Sequence, residues 1–294
     1  MSPSGTSPPP CGEGLGEGVS RQRNEHSDGS RPPPQPLPAK GRGYAEHPSV
    51  SADPWSELRL LTPARLALGR AGAALPTAEV LAFGLAHAQA RDAVHTPLDV
   101  EALATQLQAD GWPEPLLVHS RAADRAAYLA RPDWGRRLSE DSLLSLPAAA
   151  PADLVLVIAD GLSATAVQRH AVPLLRALRP WLTGLRLAPP VIALQARVAL
   201  ADEVGERLGA ALAVSLIGER PGLSSPDSLG IYLTWAPRLG HHDAERNCIS
   251  NVRPEGLGYV EAARQLAALI HQARAMRCSG LRLRGDATAL PPPG

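Results

Sequence analysis

The spacing of apolar residues divides the chain into two parts. In the first part, leucine and alanine recur at helical intervals and predict helices at residues 54–70, 77–91 and 99–111. Thr77 is placed to cap the second helix, and Gly111 to end the third. A short apolar run at residues 116–122 predicts one strand. We therefore interpret residues 53–150 as a mainly helical N-terminal region.

In the second part, continuous apolar runs alternate with amphipathic helical segments. The runs predict strands at residues 153–163, 185–194, 212–218 and 230–236. The amphipathic segments predict helices at residues 164–178, 196–209 and 259–276. Such alternation predicts an α/β fold with an open, mostly parallel, Rossmann-like sheet, which we assign to residues 151–285.

Both ends of the chain have a different composition. Residues 1–52 are rich in Pro, Gly, Ser and charge, which predicts a disordered tail, and residues 286–294 are predicted to be flexible. The formal net charge is zero and aromatic residues make up 3 %, which argues against nucleic-acid binding. Neither a secretory signal nor a membrane-spanning run is visible, so we expect a soluble, cytoplasmic protein without a membrane partner.

Three loops follow predicted strands and carry polar residues, at positions 159–163, 218–222 and 238–251. In a parallel sheet such loops lie at one edge, where ligands bind. Ser163 in the first loop is either a nucleophile or the N-cap of the following helix. The G-x-S-x-G pattern is absent, which favours the cap. A dinucleotide fingerprint is absent from the same turn.

The loop at 238–251 contains a possible metal-binding sequence. His241, His242 and Asp243 precede Cys248, but adjacent loop histidines generally point apart and no second cluster completes a tetrahedral set. A single cysteine is also commonly a small buried hydrophobe. We therefore predict no protein-ligated metal.

The loop at 218–222 holds adjacent opposite charges, Glu219 and Arg220, between Gly218 and Gly222. The pair is either a surface ion pair on a turn or part of a loop whose backbone approaches a ligand closely. Because no convincing nucleophile, acid–base pair or metal set accompanies it, the chain is predicted to bind rather than to react.

Several segments together carry a resemblance to a known family. They are RPDWGRRL at 131–138, VIADGLSATAV at 157–167, GERPGLSSPDSLGIYLTWAPR at 218–238, ERNCISNVRPEGL at 245–257 and VEAARQLAALI at 260–270. In this order they resemble the small (light) subunit of ethanolamine ammonia-lyase. The resemblance extends from about Ser56 to Leu283 and leaves out the N-terminal tail.

The resemblance implies a cofactor and a partner. Enzymes of this family use adenosylcobalamin to convert ethanolamine into acetaldehyde and ammonia by a radical rearrangement. The large subunit, a TIM barrel, holds the substrate and the catalytic residues, and the small subunit covers the cofactor. Heterodimer pairs assemble into a larger hetero-oligomer. The tail at 1–52 would then serve either solubility or packaging into a bacterial microcompartment, and its pattern does not decide between them.

The resemblance also implies site residues. Val198, at the start of a predicted helix, Glu219 and Cys248 match the family's cobalamin contacts, and no catalytic residue is expected in this chain. No D-x-H-x-x-G motif occurs, so the cofactor is expected to keep its own axial base. Two alternatives remain: a serine hydrolase using Ser163, and a stand-alone nucleotide-binding or scaffolding module.

Overall fold

The computed structural model describes residue 53, residues 55–62 and residues 64–283, which all fall within one compact unit. The predicted disordered tail at 1–52 and the predicted flexible tail at 286–294 lie outside the described residues. The predicted division at residue 150 stays a prediction.

A six-stranded mixed sheet forms the centre of the described chain. Its strands are β1 (Leu116–His119), β2 (Ala152–Ala159), β3 (Val191–Leu194), β4 (Ala210–Gly218), β5 (Leu229–Trp235) and β6 (Arg246–Val252). The spatial order is β1-β3-β2-β4-β5-β6. β1, β3, β2 and β4 pair in parallel, whereas β5 and β6 join in antiparallel register. The α/β class is confirmed, and the sheet is mixed, because β5 runs antiparallel to both of its neighbours.

Seven α-helices connect or flank these strands. They are α1 (Thr77–His95), α2 (Val100–Ala109), α3 (Arg125–Ala130), α4 (Glu140–Ser145), α5 (Ala164–Leu178), α6 (Leu200–Leu208) and α7 (Tyr259–Met276). Short 3-10 helices lie at Ser56–Leu60, Trp134–Arg136, Arg179–Leu182, Asp243–Glu245 and Gly280–Arg282. No helix in the described part of the chain is long and apolar enough to cross a membrane.

Alternating side chains of the strands build two apolar layers. On the first face, residues of β2, β4, β5 and β6 pack with α2, α5 and α7, as Leu156, Leu216 and Ile231 illustrate. On the second face, Val157 and Ala213 pack with α6. Burial on both faces explains why β2 and β4 are continuous apolar runs.

Helix boundaries differ from the prediction where capping or backbone chemistry intervenes. The helix predicted at 54–70 is only a 3-10 helix of five residues, Ser56–Leu60, and the proline at position 63 lacks the N–H that a longer helix requires. Thr77 is the first residue of α1 and not its cap, which is Pro76. Asp99 caps α2 by accepting a hydrogen bond from the Ala102 N–H at 3.0 Å.

Two strands also differ from the prediction. β3 begins only at Val191, because the preceding Pro189–Pro190 supply no N–H to the ladder. β6 was predicted to be loop, since RNCISNV alternates imperfectly and is mostly polar. It forms an edge strand of the sheet. Polar side chains are common on edge strands, because they discourage the unpaired backbone groups from pairing with another chain.

Candidate functional site

The loops that follow β2 and β4 are packed directly against each other. The Leu162 N–H donates to the Gly218 carbonyl at 2.9 Å. A Cβ on Gly218 would lie 2.0 Å from the Ser163 carbonyl oxygen, and one on Gly161 would lie 2.3 Å from the Gly218 oxygen. Both positions therefore require glycine. From the sequence, the glycines of this loop suggest that its backbone approaches a ligand closely. At Gly218 the close contact is instead with the backbone of the loop after β2 in the same chain.

Glu219, the first residue after β4, is held with its carboxylate across the end of the sheet. Its Oε2 accepts a hydrogen bond from the Ser228 hydroxyl at 2.7 Å and another from the Asn251 N–H at 3.2 Å. Gly230 lies beneath the side chain, and a Cβ there would lie 3.0 Å from Oε1. The Asn251 N–H also approaches Oε1, at 3.4 Å, so these contacts fix the orientation of the carboxylate.

Tyr232 on β5 links Glu219 to Cys248. Cys248 lies directly opposite Tyr232 in the β5–β6 register, and the two side chains are close enough to influence each other's pKa. Desolvation raises the pKa of the Cys248 thiol, and the Glu219 carboxylate raises it further, whereas Tyr232 lowers it. Desolvation also raises the pKa of Tyr232, with Cys248 and Glu219 adding to the rise. The residue Cys248 is nevertheless exposed, and its thiol is neutral at physiological pH.

Val198 completes the set of predicted residues. It lies in the β3–α6 loop, two residues before α6, and not at the start of the helix as expected. Val198, Glu219 and Tyr232 line one cleft of about 400 Å³. The remaining lining residues are Tyr128, Leu162, Arg197, Ile217, Gly218 and Arg220. The structure thus brings Val198 and Glu219 into one cleft and places Cys248 beside it.

The cleft opens on a part of the sheet that the described helices leave uncovered. On the second face α6 covers β2, β3 and β4, whereas β5 contributes only the partly buried Tyr232 to the apolar layer. Cys248 beside it is exposed. This corner of the sheet therefore offers a ligand or another chain an open, half-apolar surface.

Two guanidinium groups flank the Tyr128 ring at the back of the cleft. Arg197 stacks on the ring at 4.2 Å and Arg125 at 4.7 Å from its centroid. Burial raises the pKa of Tyr128 to about 12, so the ring carries a neutral phenol. The Arg125 Nη1 lies 3.9 Å from Asp160, which accepts backbone hydrogen bonds at 2.9 Å and 3.0 Å.

Ser163 serves as the cap of α5. Its hydroxyl accepts from the Ala166 N–H at 3.3 Å and donates to the Pro226 carbonyl at 3.0 Å, and the residue is fully buried. The cap interpretation is confirmed.

The loop after β5 does not converge with the other two as expected. Because β5 is antiparallel, it delivers the chain to the opposite edge of the sheet. There His241 contacts Glu245 at 3.0 Å, and Asp243 pairs with the buried Arg246 at 2.8 Å. No group of three or more potential metal ligands occurs among the described residues. Only the far end of this segment, Cys248 to Asn251 on β6, returns to the cleft.

Comparison with known proteins identifies the fold's relatives. The model of the family "Ethanolamine ammonia-lyase light chain" matches residues 52–284. The chain belongs to this family. A protein of Ralstonia nicotianae named ethanolamine ammonia-lyase small subunit is 58 % identical over 243 residues, which is 80 % of this chain and 90 % of that protein. Proteins of the same name from Pseudomonas syringae pv. tomato and Azotobacter vinelandii are each 56 % identical, over 81 % of this chain and 85 % and 90 % of their own lengths.

Membership of the ethanolamine ammonia-lyase light-chain family confirms the resemblance noted in the sequence. Some residues of the cleft had no sequence signal of their own. Tyr232 lies inside an apolar strand, and Tyr128 and Arg197 are 69 residues apart in sequence. Their stacking is a tertiary contact that periodicity does not encode. The sequence offers one indication for Arg197, because this residue directly precedes the predicted site residue Val198.

Proposed function

We propose that this chain is the cofactor-binding subunit of an adenosylcobalamin-dependent ethanolamine ammonia-lyase, a carbon–nitrogen lyase that forms acetaldehyde and ammonia. The chain binds one side of the cobalamin through Val198, Glu219 and Cys248. A large subunit, a TIM barrel, holds ethanolamine and the catalytic residues. We interpret the parallel portion of the sheet, β1-β3-β2-β4, as the Rossmann-like part.

The observation that carries this proposal is the meeting of the three residues at one uncovered corner of the sheet. They come from three different loops or strands. Glu219 and Val198 nevertheless line the same cleft, and Cys248 lies next to Tyr232, which also lines it. A cleft of about 400 Å³ lies near the small end of the range for drug-sized ligands, roughly 300–1,000 Å³. A corrinoid is far larger, so only one portion of it would lie here and the rest would contact the partner.

The chemistry of the donor set fits a cobalamin. Its rim carries amide groups, whose N–H donors match the Glu219 carboxylate. Val198 and the neutral Cys248 thiol offer small apolar contacts. When bound, adenosylcobalamin supplies the radical chemistry that starts the rearrangement. The chain's own residues bind and orient one side of the cofactor and exclude water from it.

The proposal extends to the assembly and its setting. The name "small subunit" of the relatives supports a large-subunit partner, and we propose heterodimer pairs that assemble further. We place the enzyme in the cytoplasm, either free or within a bacterial microcompartment, and we propose that no histidine of this chain would bind the cobalt.

Reconstitution tests the proposed function directly. The chain is mixed with the large-subunit chain, ethanolamine and adenosylcobalamin, and ammonia release is measured. We expect release only when all four components are present. An inactive mixture of two folded subunits that form a complex would reject the proposal.

The alternative of a serine hydrolase finds no support in the site. The Ser163 hydroxyl is engaged by the Pro226 carbonyl and the α5 backbone, and it lies buried. No observation favours the nucleotide-binding or scaffolding alternative over the cobalamin proposal.

A further inference from the structure

We propose that Arg197 forms an anion subsite of this cleft and binds the phosphodiester of the cobalamin's nucleotide tail. This inference rests on the proposed function and extends it to a residue and a cofactor group that the function alone does not specify. It is carried by the hydrogen-bonding state of Arg197, its charge environment and its place beside Val198.

The guanidinium of Arg197 is held in a fixed position, but not all of its N–H groups have hydrogen-bond acceptors. Its plane stacks on the Tyr128 ring at 4.2 Å, and its aliphatic stem packs against Gly135, where a Cβ would lie 2.8 Å from the Arg197 Cγ. One Nη2 donates to the Tyr128 carbonyl at 3.3 Å. The Nε is buried and has no hydrogen-bond partner among the described residues. A buried donor without a partner is destabilising, and a ligand acceptor that reaches it would remove that cost.

Of the two arginines beside the Tyr128 ring, only Arg125 has a carboxylate nearby. Arg125 and Arg197 flank one aromatic ring, and Asp160 is the carboxylate beside them. Asp160 contacts Arg125 at 3.9 Å and otherwise accepts backbone hydrogen bonds, whereas no carboxylate of the described residues pairs with Arg197. Arg197 lines the cleft and Asp160 does not. The charged side chains that line the cleft are Arg197, Arg220 and Glu219, so two positive charges face one negative charge there.

These properties select one group of the cofactor. The rim of a cobalamin carries neutral amides, and its nucleotide tail carries a single anionic group, the phosphodiester. A planar guanidinium binds phosphate oxygens through paired N–H donors, and its fixed geometry makes that contact specific. Tyr128 positions Arg197 by stacking, and its high pKa keeps the phenol neutral beside an incoming anion.

Truncated corrinoids isolate the phosphate contribution. Adenosylcobinamide lacks both the phosphate and the terminal base, whereas adenosylcobinamide phosphate keeps the phosphate. The dissociation constant of each, and of adenosylcobalamin, is measured from the corrin absorbance on titrating the two-subunit complex. For the wild-type complex we expect adenosylcobinamide phosphate to bind more tightly than adenosylcobinamide.

The variant Arg197→Ala is expected to remove that preference. Affinity for adenosylcobinamide phosphate falls about ten- to 150-fold, the range for one hydrogen-bonded charge, while affinity for adenosylcobinamide changes less than about threefold. Arg197→Lys keeps a charge without the paired donors and is expected to fall between the two. Arg131→Ala is the matched control, because it removes an exposed guanidinium that stacks on Trp134 at 4.4 Å outside the cleft.

The outcomes separate the two proposals. Equal loss of affinity for both truncated corrinoids in a folded Arg197→Ala complex would show a structural role and overturn the inference. A wild-type complex that binds adenosylcobinamide phosphate no better than adenosylcobinamide also overturns it. If the wild-type complex binds adenosylcobalamin in either case, the proposed function stands. A complex that binds none of the three corrinoids contradicts both.

Discussion

Replacing Glu219 by alanine tests the part of the site with the best-defined geometry. The carboxylate is held by the Ser228 hydroxyl at 2.7 Å and the Asn251 N–H at 3.2 Å, so it is already oriented before a ligand binds. A hydrogen bond to a charged group contributes about 1.5–3 kcal/mol. At about 1.4 kcal/mol per tenfold, Glu219→Ala is expected to weaken cofactor affinity about ten- to 150-fold.

The assay separates cofactor binding from substrate binding. Adenosylcobalamin is titrated into the two-subunit complex and followed by corrin absorbance, and the KM for ethanolamine is measured at saturating cofactor. The KM is expected to change less than about threefold, because the substrate is proposed to bind the large subunit. Gly230→Ala provides an indirect test, since its Cβ would lie 3.0 Å from the Glu219 Oε1 and displace it.

Glu219→Gln provides the control for charge. It keeps the length and one carbonyl acceptor of the side chain, so it is expected to lose less affinity than Glu219→Ala. Equal weakening of cofactor and ethanolamine binding by Glu219→Ala would refute the assigned role. So would an unchanged cofactor affinity in a complex that assembles normally.

Three further predictions concern the stability of the fold. Gly218→Ala places a Cβ 2.0 Å from the Ser163 carbonyl oxygen and is expected to destabilise the chain by about 1–3 kcal/mol in urea unfolding; unchanged stability would contradict this packing. Ser163→Ala removes the cap of α5 and is expected to cost about 1–2 kcal/mol in the same assay, whereas a null effect would argue against the cap. Burial lowers the pKa of His170, although the nearby Asp227 carboxylate acts in the opposite direction. The imidazole of His170 is therefore protonated more readily in the unfolded chain than in the folded one. The unfolding free energy is therefore expected to fall as pH drops below about 6.5, and His170→Gln to flatten that slope; an identical slope in the variant would contradict the shift.

The elements most accurately predicted from sequence have one strongly patterned apolar face. α5 and α7 begin and end at the predicted residues, because each packs a regular apolar stripe against the first face of the sheet. β2 and β4 were predicted from their apolar runs, since both of their faces are buried. Local pattern and tertiary burial agree in these elements.

The direction of β5 and the existence of β6 could not be predicted from the local pattern of apolar residues. The apolar run of β5 is compatible with either direction of pairing, and the long connection after β4 did not indicate an antiparallel return. β6 lies at the edge of the sheet and buries Arg246, Ile249 and Val252 among polar residues, so its period is obscured. Edge strands carry fewer apolar positions for this reason.

The candidate site was predicted in part. Val198, Glu219 and Cys248 came from the resemblance; Val198 and Glu219 line one cleft, and Cys248 lies opposite Tyr232, which also lines it. Tyr232, which joins two of them, was visible only as an apolar strand residue. Arg197 and Tyr128 become neighbours through folding of segments distant in sequence, so neither composition nor spacing identified their stacking.

The central claim is that this chain binds one side of a cobalamin at the uncovered corner of its sheet. An experimental structure of the chain in complex with the large subunit and adenosylcobalamin tests it most directly. We expect the cofactor to lie between the two chains, with its rim against Glu219 and its surface against Val198 and Cys248. A cofactor enclosed by the large subunit alone, with these three residues out of contact, would contradict it.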